Sequence, residues 1–150
     1  MLPMFSKLLS SLLAPAPGHL PAPEARLALA ALLVRVARAD DDYSAPEMAR
    51  IDRTLAARYG LSPFEAVQLR QTAEALEAEA PDTVRFTRAL KDAVPYEDRT
   101  AILTALWSVA LADGGRDAAE DALLRLVCNL LGVTDKDSAL ARQKAERDMT

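Results

Sequence analysis

Two stretches of the chain are almost empty of polar positions. Residues 27–34 in "EARLALAALLVRVARA" and residues 100–112, "TAILTALWSVALA", carry no charge. A helix that is apolar on nearly every side belongs in the middle of a bundle, because no face of it suits water. Each of these stretches leads into a short acidic loop, and each loop leads into a one-sided segment. Met48, Ile51, Leu55 and Tyr59 form the stripe in the first, and Leu123 or Leu124, Val127 or Cys128, and Leu131 form it in the second. That spacing predicts outer helices laid on the core. Between the two units, "SPFEAVQLRQTAEALEAEA" and "DTVRFTRALKDAV" supply two more helices, and Thr134 with Asp137 opens a last, more polar one. No run alternates polar and β-branched residues for long enough to make a strand. The fold class is therefore all-α, a bundle of about seven helices in two related halves.

The two halves share one offset. A shift of 73 residues lays Ala39 on Ala112, Asp40 on Asp113, Ala45 on Ala118, Glu47 on Glu120 and Ile51 on Leu124. After one residue of slippage, Gly60-Leu61-Ser62 falls on Gly132-Val133-Thr134. There the glycine ends one helix and the hydroxyl caps the next. A duplicated unit accounts for these matches, and residues 24–61 are expected to superpose on 97–133.

Two explanations compete for the repeated loops, "ARADDDYSAPE" at 37–47 and "ALADGGRDAAE" at 110–120. Ser44 with Glu47, and Asp117 with Glu120, fit the capping box, where a side chain at the helix start and a Glu three residues on satisfy open N–H groups. Pro46 suits a first helical turn. Capping leaves Asp40 and Asp113 unexplained, since each ends a helix whose dipole disfavours negative charge there. It also leaves Asp41 and Asp42 crowded beside Asp40. A divalent cation would relieve that repulsion, and Ca²⁺ or Mg²⁺ takes carboxylate, carbonyl and water oxygens of the kind such a loop supplies. The candidate ligands are Asp40, Asp42, Ser44 and Glu47 in one loop and Asp113, Asp117 and Glu120 in the other. Neither loop has the twelve-residue EF-hand pattern, and no His or Cys stands nearby to favour Zn²⁺.

Composition narrows the function classes. With 150 residues, 51% of them hydrophobic, the chain suits one core. A formal net charge of −4, from 18 Lys and Arg against 22 Asp and Glu, argues against nucleic acid as a partner. Cys128 is the single cysteine, so no intrachain disulfide forms and the cytoplasm is the expected compartment. At the N-terminus, apolar residues broken by Ser6, Lys7, Ser10 and Ser11 do not make an export signal. Met4 or Phe5, Leu8, Leu9, Leu12 and Leu13 instead describe an amphipathic helix ahead of a Pro-rich linker from Pro15 to Pro23. The division is residues 1–22 as helix and linker, and 23–150 as the helical domain. The N-terminal helix docks on the domain in one reading and meets a membrane surface or a protein partner in the other.

The segments "ALLVRVARADDDYSAPEMARI" and "LWSVALADGGRDAAEDALLRLV" resemble the two halves of the TerB-like domain of bacterial tellurite-resistance proteins, in which Ala-Asp-Gly followed by a Glu recurs after a buried helix. The resemblance runs from about Pro23 to Lys144. It implies an all-helical domain of two related halves, no enzymatic activity, and a part in metal-linked stress responses, in some members at the inner face of the membrane. Asp40, Glu47, Asp113 and Glu120 match its acidic motif. Asp41 stands where the motif has Gly, whereas Gly114 and Gly115 keep the freely turning residue in the second loop.

Catalysis finds little support. Cys128 lies on the apolar side of its helix, His19 sits in the Pro-rich linker, and no phosphate loop, nucleophile elbow or His-Glu-x-x-His helix is present. No organic cofactor is expected. Arg35, Arg38, Arg50, Arg53 and Arg58 flank the first loop and read as a solvated face paired to Asp52 and the acidic loop, with an oxyanion clamp as the other possibility. Two functions remain: a cation-responsive stress module, and a helical adaptor that binds a protein partner or membrane-associated complex with its loops serving as caps. The oligomeric state is not legible.

Overall fold

In the computed structural model, residues 22–39, 42–79, 82–112 and 118–148 are described. They form seven α-helices, and no strand occurs among them: α1 Ala22–Arg38, α2 Ala45–Tyr59, α3 Pro63–Glu79, α4 Thr83–Ala93, α5 Tyr96–Ala110, α6 Ala118–Leu131 and α7 Asp135–Asp148. The first begins two residues before Glu24, because Pro23 occupies an opening turn whose N–H groups have no helical acceptor. The expected helix over residues 1–13, the linker after it and His19 lie outside the described residues.

The two uncharged stretches become α1 and α5, as their patterning requires. Every residue from 27 to 34 is at most 2% exposed, and α1 packs against α2, α3, α4, α5 and α6. In α5, Ile102, Leu103, Leu106 and Val109 are wholly buried. Each fully buried leucine stabilises the fold by roughly 1.5–3 kcal/mol, so α1 alone accounts for much of the core. The stripes of the outer helices face inward: Ile51 and Leu55 on α2, and Leu124, Val127, Cys128 and Leu131 on α6, are all buried.

The repeat extends one helix beyond the expected superposition of 24–61 on 97–133. The structure reads as α1-α2-α3, a single connecting helix α4, then α5-α6-α7. The heaviest packing is α1 on α3 in the first half and α5 on α7 in the second. Gly60 and Gly132 both take left-handed backbone, φ 64° and 73°. Behind them Leu61 N–H donates to Ala56 C=O at 3.0 Å and Val133 N–H to Cys128 C=O at 3.1 Å, one bond repeated at matched positions. The next caps repeat too. Glu65 N–H donates to Ser62 Oγ and Asp137 N–H to Thr134 Oγ1, each at 3.1 Å. One guanidinium closes several helix ends, with Arg99 donating to the carbonyls of Val94, Lys91 and Leu131 at 3.0–3.1 Å.

Candidate functional site

The first acidic loop enters α2 through a complete capping box. Ser44, in extended backbone, accepts from Glu47 N–H at 3.3 Å, while Ser44 N–H and Oγ–H donate to Glu47 Oε1 at 2.9 and 3.0 Å. To that extent capping holds. The same motif opens α3, where Ser62 N–H donates to Glu65 Oε1 at 2.9 Å. The two boxes differ in one respect. Glu65 is exposed, and the Ser62 backbone and hydroxyl bonds hold its carboxyl below the usual carboxylate range. Glu47 is 0% exposed. Capping therefore does not require burial, and the burial of Glu47 needs another cause. Glu120, its counterpart in the second half, is 1% exposed. Two carboxylates at one position of a repeated unit are thus taken out of water, which is expensive for an ionised group unless opposite charge or donors compensate.

Of the remaining sequence candidates, Asp42 is exposed. Asp40, Asp113 and Asp117, and with them Asp41, Gly114 and Gly115, lie outside the described residues. Among the described residues no three His, Cys, Asp or Glu side chains gather into a metal-binding group.

The arginine expectation requires correction. Arg35 and Arg38 do not pair with Asp52; they cross to α3. Arg35 Nε donates to Glu77 Oε2 at 3.0 Å and Arg38 to Glu77 Oε1 at 2.6 Å, and Arg35 also reaches Thr83. The pairing follows from burial: Arg35 and Glu77 side chains are only 14% and 13% exposed, so each needs the other close at hand. Asp52 takes Arg70 instead, at 2.6 Å, and the same guanidinium holds Glu74 at 2.8 Å. Burial alone would lower the Arg70 pKa, but its bonds to Asp52 and Glu74 outweigh that and raise it.

Tyr43 joins the loop to this network. Its hydroxyl donates to Glu74 at 2.6 Å, and Arg38 lies over its ring, 5.2 Å from the centroid. Burial and the adjacent Glu74 carboxylate push the phenol well above its ordinary value. The backbone immediately before α2 is thereby tied to α3. Sequence reading missed Tyr43, Arg70, Glu74 and Glu77. The available signal was the spacing of the three α3 charges at 70, 74 and 77, which puts them on one helix face. Cys128 is 3% exposed, as its place on the apolar face predicts, and its thiol donates to Val133 C=O at 3.2 Å.

An all-helical bundle made of a repeated three-helix unit, with a buried glutamate after each inter-helix loop, is the class of protein these features define. Residues 26–143 match the model of the family described as tellurite resistance protein TerB. The chain belongs to that family. No curated protein and no solved structure matches it. No helix among the described residues is long and apolar enough to cross a membrane.

Proposed function

We propose that the chain is a non-enzymatic TerB-like stress-response module that binds a divalent cation at each of its two acidic loops. The observation that carries this reading is the burial of Glu47 and Glu120 at equivalent positions, set against the exposed Glu65 in an otherwise identical capping box. Burying a carboxylate is favoured when a cation shares its environment. Asp40 and Asp42 would join Glu47 in the first loop, and Asp113 and Asp117 would join Glu120 in the second. A set made of carboxylate and carbonyl oxygen suits Ca²⁺ or Mg²⁺ better than Zn²⁺, which prefers nitrogen and sulfur. The loops also differ at the position before the capping residue. Tyr43 is anchored to Glu74 in the first, whereas Arg116 occupies the equivalent place in the glycine-containing second loop. The expected setting is the cytoplasm, free or at the inner face of the membrane.

Isothermal titration calorimetry on chelator-stripped protein, with Ca²⁺, Mg²⁺, Mn²⁺ and Zn²⁺ in turn, tests this reading. Two binding events for at least one hard cation are expected, one lost on Asp40→Asn and the other on Asp113→Asn. Absence of heat from all four ions would leave the loops as helix caps and favour the adaptor.

A further inference from the structure

Under the repeat, α1, α2 and α3 correspond to α5, α6 and α7, and nearly every packing of α1 has its counterpart on α5. The contact of α1 with α3 matches that of α5 with α7, α1 with α2 matches α5 with α6, and α1 with α6 matches α5 with α2. One packing has no match. The connecting helix α4 lies on α1 and α6, and no described helix lies in the same way on α5 and α2.

Arg35 fixes which face is concerned. Its guanidinium is 5.4 Å from the centroid of the Phe86 ring and donates to Thr83 Oγ1 at 3.0 Å, so α4 covers the side of α1 that carries Arg35. Ala31 and Leu32, one turn before it on that side, and Ala28, two turns before, are all 0% exposed. The 73-residue shift carries these four positions to Ala101, Thr104, Ala105 and Ser108. There Ala101 is exposed and the other three are only partly buried. This face has no charge, and its hydroxyls turn back on their own helix. Thr104 donates to Thr100 C=O at 3.0 Å and Ser108 to Ala105 C=O at 2.7 Å. What α5 presents outward is therefore largely methyl and methylene surface, on a side where water favours charge.

The chain ahead of α1 repeats the pattern of α4. A shift of 81 residues lays Phe5 on Phe86, Ser6 on Thr87, Lys7 on Arg88, Leu8 on Ala89, Leu9 on Leu90, Leu12 on Ala93 and Leu13 on Val94. In α4, Phe86, Ala89 and Leu90 are buried and Arg88 is exposed, so the segment has matching residues to bury and to leave in water. Bulk is complementary as well. Leu8 and Leu12 stand where α4 has alanine, while α5 has Ala105 and Ser108 where α1 has Leu32 and Arg35, so larger side chains meet a smaller face. Residues 94–95 connect α4 to α5, and residues 14–21 are available for the equivalent connection to α1, so reach is not limiting. Arg26 points the same way. Its counterpart Arg99 uses Nε on Val94 C=O, just past the end of α4, at 3.0 Å. The Arg26 guanidinium lies over the Tyr59 ring, and its Nε is buried with no acceptor among the described residues. A carbonyl at the end of a helix placed as α4 is placed would satisfy it.

We propose that residues 4–13 form the fourth helix of the first half and dock on the face of α5 that carries Ala101, Thr104, Ala105 and Ser108, meeting α2 as α4 meets α6. The domain is then two four-helix units, each opened by a Phe-Ser/Thr-Lys/Arg helix that crosses to the other half. This inference does not depend on the cation reading of the loops.

Hydrogen–deuterium exchange of the full-length protein, held in chelator, tests it. The backbone amides of residues 8–13 are expected to exchange at least about tenfold more slowly than in the free peptide of residues 1–21, and to do so equally on dilution. Ala101 is exposed, so Ala101→Glu disturbs little unless the segment covers it. It is expected to abolish the protection of residues 8–13 and to lower the urea midpoint, as is Leu9→Asp. Lys7→Glu, at the place of the exposed Arg88, is expected to leave both unchanged. The proposal is overturned if residues 8–13 exchange like the peptide in the parent, or if their protection survives Ala101→Glu or is lost equally in Lys7→Glu. It is overturned equally by protection that falls away on dilution, which would put the segment on a second copy, or that arises only with phosphatidylglycerol vesicles, which would make it a membrane element.

Discussion

At the scale of single residues, the contrast between Glu47 and Glu65 separates what a cap requires from what it does not. Both accept from the backbone N–H of a serine three residues earlier, yet only Glu47 is buried. Tyr43 supplies a second test at this scale. Its raised pKa comes from burial first and Glu74 second, so the folded state favours the neutral phenol. The stability this gives is complete below the ordinary value of 10.0 and is lost as pH rises through the folded value. Ultraviolet phenolate absorbance should therefore show a tyrosine that ionises only above that ordinary range, and Tyr43→Phe should remove it. The parent should also lose stability relative to Tyr43→Phe as pH climbs past 10, while near neutrality the substitution costs about 1 kcal/mol. A phenol that titrates at its ordinary value would show that the bond to Glu74 does not persist in solution.

At the scale of elements, helix ends carry the repeat. Gly60 and Gly132 sit at positive φ with nothing closer than 3.8 Å to an added Cβ, so replacement by alanine meets backbone strain and no clash. Gly60→Ala and Gly132→Ala should each lower stability by about 1–2 kcal/mol, by similar amounts, read as a shift of the urea midpoint at unchanged slope. Arg99→Met keeps the alkyl stem and removes the guanidinium from three carbonyls. It should cost about 2 kcal/mol, and a midpoint equal to the parent's would mean that water replaces the guanidinium freely. Much of this level was legible in the chain itself. Uncharged runs announced α1 and α5, the glycines announced where α2 and α6 stop, and Ser62 and Thr134 announced the caps that follow. The links between elements were not legible. Arg35 and Arg38 are placed by burial to face α3, and nothing local distinguishes Glu77 of α3 from Asp52 of α2 as their partner. The match of α3 to α7 was hidden for a similar reason: α7 is largely polar, and Ala73 with Ala145, both wholly buried, is too plain a pair to announce itself.

For the whole molecule, the arrangement of three helices, one connector and three helices places the two loops at equivalent points, each ending on a buried glutamate. Whether these loops hold cations or serve as caps alone is decided by thermal unfolding of chelator-stripped protein with and without added Ca²⁺ or Mg²⁺. An ion that binds only the folded state stabilises it by about 2.7 kcal/mol at one hundred times its dissociation constant, so the melting temperature should rise with ion concentration. Asp113→Asn should lose part of that rise while leaving the ion-free protein as stable as the parent or more so, by about 0.3–1 kcal/mol, since it removes negative charge from a helix C-terminus. A melting temperature that does not respond to either ion, in parent and Asp113→Asn alike, would mean that the loops hold no cation and act as caps alone.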